Sequence, residues 1–161
     1  AKWRVDTLFT KEPETLDWIN NFNNNDKKLI FWDIGSNIGL YSLYAATKYN
    51  NIEIFSFEPS TSNLRILSRN ISINNLNKKI KIIQLPLNKR ENIFSEMNEN
   101  QFIEGGALNT FGENFNHEGK KLGSLIWMRI FCRKKQNRYP SLTPLKKGGG
   151  RGEHFFLTKN S

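Results

Sequence analysis

Three short apolar runs, "LIFWDIG" at 29–35, "IEIFSFEP" at 52–59 and "KIKIIQLPL" at 79–87, recur along this chain with stretches of helical period between them. Each run has strand length, and glycine or proline closes it, which is the profile of a strand buried in a parallel sheet. After the first run, Leu40, Leu43, Tyr44 and Ala46 form one apolar face. After the second, Leu64, Leu67 and Ile71 do the same behind the capping residues Ser60, Thr61 and Ser62. Strand, helix, strand, helix, strand with short connections gives right-handed crossovers, and the expected class is α/β with a parallel sheet. Ahead of the first run, "EPETLDWINNF" at 12–22 carries Pro13 at a first helical position and Leu16, Ile19 and Phe22 at helical spacing, so it reads as a short amphipathic helix.

The charge pattern divides the chain. Residues 1–119 hold 13 basic and 14 acidic side chains, whereas residues 120–161 hold 11 basic and one acidic, so the net charge of +9 resides in the last quarter. The body is therefore near neutral, as suits a domain that binds a small molecule, and the charge is a property of the tail. That tail, with "MRIFCRKKQNRYPSLTPLKKGGGRG" at 128–152, shows no sustained period. The organisation expected is an N-terminal flank with a short helix over 1–24, a cofactor-binding domain over 25–121, and a basic, irregular tail over 122–161, so that the sheet is incomplete at its C-terminal side. No run of about 18 apolar residues is present for a membrane span. A single cysteine, Cys132, gives neither an internal disulfide nor a thiolate metal cluster. No metal and a cytoplasmic setting are the expectations.

The first strand-to-helix turn, "DIGSNIG" at 33–39, begins with an acid and contains two glycines. Glycine permits positive φ and lets a ligand lie against bare backbone beside the helix start. The second strand ends in Glu58, 25 residues after Asp33, about the interval at which nucleotide-binding βαβ units place an acid for both ribose hydroxyls. The turn lacks the Lys and Ser/Thr pair of a nucleotide-hydrolase loop. Asp33 suits the amino group of a methionine moiety better than a pyrophosphate, which favours S-adenosyl-L-methionine over a dinucleotide.

"FWDIGSNIGLYSL", "FSFEPSTSNLRILSRNISINNL" and "KIKIIQLPL", with "KEPETLDWINNF" and "GGALNTFGENFNHEGKK", resemble segments of the FkbM-type methyltransferases over roughly residues 4–121. The resemblance implies a Rossmann-like sheet of the class I methyltransferase type and an S-adenosylmethionine-dependent O-methyltransferase. It places Asp33, Gly35, Asn37 and Gly39 around the methionine end of the cofactor and Glu58 on its ribose. By the same analogy the acceptor is a small molecule or glycan, a hydroxyl on a sugar or glycolipid. No catalytic base follows from it. The family continues into a strand resembling "IKIDVDGxEHLIL", and "LKKGGGRGEHFFL" at 145–157 stands in its place, with Gly148 and Gly150 where two aspartates are expected.

Other residues carry less. Glu153 and His154 read as an exposed dipeptide and His117 as a loop residue. Asn88 lies after the third strand, within range of an adenine edge. Trp32, Tyr41, Phe55 and Phe57 read as core. Two rival functions remain from the sequence: an inactive cofactor-binding fragment, and a basic protein that binds nucleic acid through its tail, against the expectation of no nucleic-acid partner.

Overall fold

The computed structural model describes residues 1–22, 28–87, 94–99, 104–107, 109–111, 123–129 and 155–160. Three helices open the chain: α1 (Lys2–Asp6), α2 (Leu8–Lys11) and α3 (Pro13–Asn20). The alternating unit follows as β1 (Leu29–Ile34), α4 (Leu40–Lys48), β2 (Ile52–Phe57), α5 (Thr61–Ile73) and β3 (Ile80–Ile83). Beyond it lie β4 (Phe94–Glu99), β5 (Thr110–Phe111), β6 (Gly123–Arg129) and β7 (Phe155–Asn160). The α/β class expected from the three apolar runs is what the chain adopts.

β1, β2 and β3 are parallel neighbours in the order β3-β2-β1. Because the chain steps the same way at both crossovers, right-handedness puts α4 and α5 on one face of the sheet. The register aligns the residues of that face: Leu29 with Ile52, Phe31 with Ile54, Asp33 with Ser56. All six are buried. Ala45 and Ala46 of α4, and Leu67 and Ile71 of α5, complete this core with Ile19 and Phe22 from the α3 side. Phe31 joins the helices to the sheet: its ring lies 5.5 Å from that of Phe22 and 6.1 Å from that of Trp18, and Phe22 stacks on Tyr49 at 5.7 Å. Trp32 and Phe55, expected in the core, are half-buried on the opposite face, where they meet edge to face at 6.3 Å.

Two stretches of the segment expected to be irregular are strands. β7 runs antiparallel to β1, with Phe155 opposite Ile34 and Asn160 opposite Leu29, so it occupies the free edge of β1. β6 pairs antiparallel with β4 in a second sheet of order β5-β4-β6. A single-strand period of two is short enough to be hidden in a basic, glycine-rich context, and strand pairing across this separation leaves no local trace. Asn88, His117, Gly148, Gly150, Glu153 and His154 lie outside the described residues. Among the described residues no helix is long and apolar enough to cross a membrane.

Phe31→Ala should lower the unfolding free energy by about 3 to 5 kcal/mol, because a fully buried ring shared by helix and sheet leaves a cavity that cannot collapse. Denaturant unfolding checks this, and the half-buried Ile30→Ala should cost clearly less.

Candidate functional site

The carboxyl ends of β1 and β2 carry the two acids singled out above, and both are buried: Asp33 is 0 % exposed and Glu58 4 %. Their oxygens organise the turn between them. Glu58 Oε2 accepts the Asn37 backbone N–H at 2.7 Å and Oε1 accepts that of Ser60 at 2.8 Å. Asp33 Oδ2 accepts from Ser42 N at 3.1 Å and from the Ser42 hydroxyl at 2.5 Å, and the Ser42 and Ser56 hydroxyls lie 2.6 Å apart. One acid thus ties the loop to α5, and the other ties the first turn of α4 to β1 and β2. Burial pushes the Glu58 carboxyl up to about 6, with the amide bonds from Ser60 and Asn37 opposing that rise and the negative Asp33 adding to it.

Within the turn, Gly35, Asn37 and Gly39 all have positive φ, at 74°, 53° and 86°. Asparagine tolerates this region because its side chain bonds locally. Here Asn37 Oδ1 accepts from the Ile38 N–H at 3.0 Å. The glycines differ in kind. A Cβ at Gly35 would meet nothing within 4 Å, whereas one at Gly39 would overlap Cδ1 of the fully buried Leu67. Gly39 is therefore required by the packing of α4 on α5, and Gly35 by backbone conformation beside open space. The bare backbone expected here is not a set of free donors. Gly35 and Ser36 donate to the Phe57 carbonyl at 2.9 and 3.0 Å, and Gly39 donates to the Ser36 carbonyl at 2.7 Å. With Asn37 on Glu58 and Ile38 on Asn37, all five amides from 35 to 39 have acceptors inside the protein.

Beside this turn lies a small cavity of about 40 Å³ whose wall includes Arg4, Lys11, Glu12, Gly35, Asn37 and Tyr41. Of the five residues expected to bind the cofactor, Gly35 and Asn37 thus face the cavity, while Asp33, Gly39 and Glu58 stand behind it as its supports. The volume is far below the ~300 Å³ at which ordinary ligand clefts begin. The N-terminal segment supplies Arg4, Lys11 and Glu12 to the cavity wall, and the turn at residues 104–106 packs on the loop. There the Gly106 carbonyl accepts from Asn37 Nδ2 at 2.6 Å and Asn63 Nδ2 at 3.2 Å, and the Gly105 N–H donates to Asn63 Oδ1 at 2.8 Å. Arg4 Nε donates to the Gly105 carbonyl at 2.6 Å.

Tyr41, expected in the core, packs half-buried against it and also lines the cavity, its hydroxyl donating to Glu12 Oε2 at 2.9 Å. Burial and the neighbouring Glu12 carboxylate raise its pKa far above the ordinary tyrosine range. The sequence reading did not single out Ser42, Ser56, Asn63 or Arg4. Serine after a glycine turn or asparagine in a helix is too common to mark a site, and Arg4 reaches it only through the path of α1 and α2.

No protein-family profile matches the chain. Over 55 residues it is 42 % identical to Methyltransferase sdnD from Sordaria araneosa, a stretch that makes up 34 % of this chain and 21 % of that protein. The chain therefore matches about a fifth of that relative's length. The shared stretch is a similarity to one methyltransferase and singles out no family among methyltransferases.

Two outcomes follow. A carboxyl whose pKa is higher folded than unfolded binds more protons in the native state, so its contribution to stability is present below 4.5 and is lost as pH rises to about 6. The loss should be about 2 kcal/mol across that window. Unfolding free energies at pH 4.5 and 6.5 should show this fall in the parent and a flatter profile in Glu58→Gln. Gly39→Ala should destabilise by about 2 to 5 kcal/mol through left-handed strain plus overlap with Leu67. In a Leu67→Ala background only the strain of about 1 to 3 kcal/mol should remain, which a double-mutant cycle measures.

Proposed function

We propose that the chain is an S-adenosylmethionine-dependent methyltransferase unit whose cofactor lies at the carboxyl ends of β1 and β2, and that its acceptor is a hydroxyl on a sugar, glycan or glycolipid. The observation that carries the reading is the pair of buried acids, Asp33 and Glu58, at the ends of adjacent parallel strands on either side of a positive-φ turn. Ligands of open α/β sheets sit outside the carboxyl ends of the strands, and an acid after the second strand is the acceptor for ribose hydroxyls. The stretch shared with Methyltransferase sdnD supports the same chemistry.

The donor set fits such a cofactor. A carboxylate offers about four lone-pair sites; in Glu58 the Asn37 and Ser60 amides and the Asn63 side chain take three of them, so a ribose hydroxyl can be accepted at the fourth without dismantling the loop. Gly35 and Asn37 face the space for the amino-acid end. Since the cavity is small and Glu58 is 4 % exposed, admission of the cofactor requires the turn at 104–106 and the N-terminal helices to shift outward. When bound, the cofactor supplies an electrophilic methyl group. The chain's part is to orient it and to hold an acceptor oxygen in line, and positioning of this kind supplies much of the rate enhancement.

Calorimetric titration with S-adenosylhomocysteine tests the reading. The parent should bind it and should not bind NAD. Glu58→Ala, shown to be folded by circular dichroism, should lose about ten- to a hundredfold in affinity, the worth of charge-assisted bonds to the ribose. A 2′,3′-dideoxyribose analogue should bind parent and variant alike. Absence of S-adenosylhomocysteine binding by the parent would refute the cofactor, and labelled methyl transfer to a panel of glycans tests the acceptor class.

A further inference from the structure

Resting on the cofactor reading above, the geometry points to Arg4 as the residue that holds the carboxylate of the cofactor's amino-acid end. The argument is one of elimination among donors. The five amides of the turn, residues 35 to 39, already have acceptors within the protein, so the turn itself has none of these to offer a carboxylate. Two cationic side chains stand on the cavity wall, Arg4 and Lys11. Lys11 lies 3.7 Å from Glu12 and is 40 % exposed, so a charge partner and water already surround it.

Arg4 differs. Its guanidinium is half-buried, and burial draws its pKa down while Glu12 and Glu58 hold it up. Arginine stays charged under such conditions, with five N–H donors in a planar fork. Nε is engaged by the Gly105 carbonyl at 2.6 Å, which fixes the side chain beside the turn. The terminal nitrogens are the groups that pair two-point with a carboxylate.

The surrounding charge agrees with a zwitterion. The same wall carries the Glu12 carboxylate, oriented by the Tyr41 hydroxyl at 2.9 Å, so beside its cations the cavity presents an anion for an ammonium. Asp33, by contrast, is fully buried behind the turn with Ser42, and the ammonium meets Glu12 first. Arg4 belongs to α1 and bonds to the turn at 104–106, so it joins these two pieces beside the cavity.

The test compares two ligands on the full chain. S-adenosylhomocysteine carries the amino-acid end, and 5′-methylthioadenosine lacks it but keeps adenine, ribose and sulfur. Arg4→Gln should weaken S-adenosylhomocysteine about ten- to a hundredfold and leave 5′-methylthioadenosine within about twofold of the parent. Arg4→Lys, which keeps the charge without the fork, should fall between. Equal weakening of both ligands by Arg4→Gln would show that Arg4 merely shapes the site and would overturn the assignment. So would unchanged binding of S-adenosylhomocysteine. If the parent bound 5′-methylthioadenosine as tightly as S-adenosylhomocysteine, the amino-acid end would have no seat and Arg4 no role. Binding of neither ligand by the parent would remove the cofactor reading itself, and Arg4 with it.

Discussion

The hydrogen bond from the Asn37 N–H to the Glu58 carboxylate, 2.7 Å long and closed off from water, is the constraint on which the site depends. It joins the tip of the β1-to-α4 turn to the end of β2. Through Oε1 and Ser60 it joins both to the start of α5. A carboxylate buried this deeply is costly unless it is hydrogen-bonded, and its backbone donors are Asn37 in the turn and Ser60 at the start of α5. The same turn holds Asn37 at positive φ, and its other amides bond to the Phe57 and Ser36 carbonyls and to Asn37 Oδ1.

A second layer of the same logic lies below it. Asp33, Ser42 and Ser56 form a buried polar chain that ties β1, α4 and β2 together at the level where the apolar core ends. Below this level Leu29, Phe31, Ile52 and Ile54 pack as apolar core; above it, past Ile34 and Phe57, come the glycine turn and Glu58. Hydrogen-bonded polar groups at such a boundary rigidify the support of a site without filling it. The cavity is then bounded by the turn on one side and by residues of α1, α2 and the α2-to-α3 junction on the other.

How far the sequence reveals this depends on range. Pro13 at the first turn of α3, Pro59 after β2, the period of Leu64, Leu67 and Ile71, and the glycines at 35 and 39 are local signals, and the helices and parallel strands they announce are present. The spacing of Asp33 and Glu58 likewise brings both acids to the strand ends. The antiparallel pairing of β7 with β1 was not legible, since nothing within residues 155–160 names a partner more than a hundred residues away. Nor was the difference between Gly35 and Gly39, which a one-dimensional pattern treats alike and the position of Leu67 separates.

By itself, then, the sequence determined the alternation of strand and helix, the hand and side of the crossovers, and the presence of two carboxylates at one sheet end, because each of these is set by periodicity, chirality or chain direction. Tertiary structure alone decided that the acids face inward to hold the turn, that the turn's amides are already bonded, and that Arg4 and Lys11 reach the cavity wall. Those outcomes depend on which atoms compete for the same few hydrogen bonds in a space closed to water, and such competition is settled only when distant segments meet.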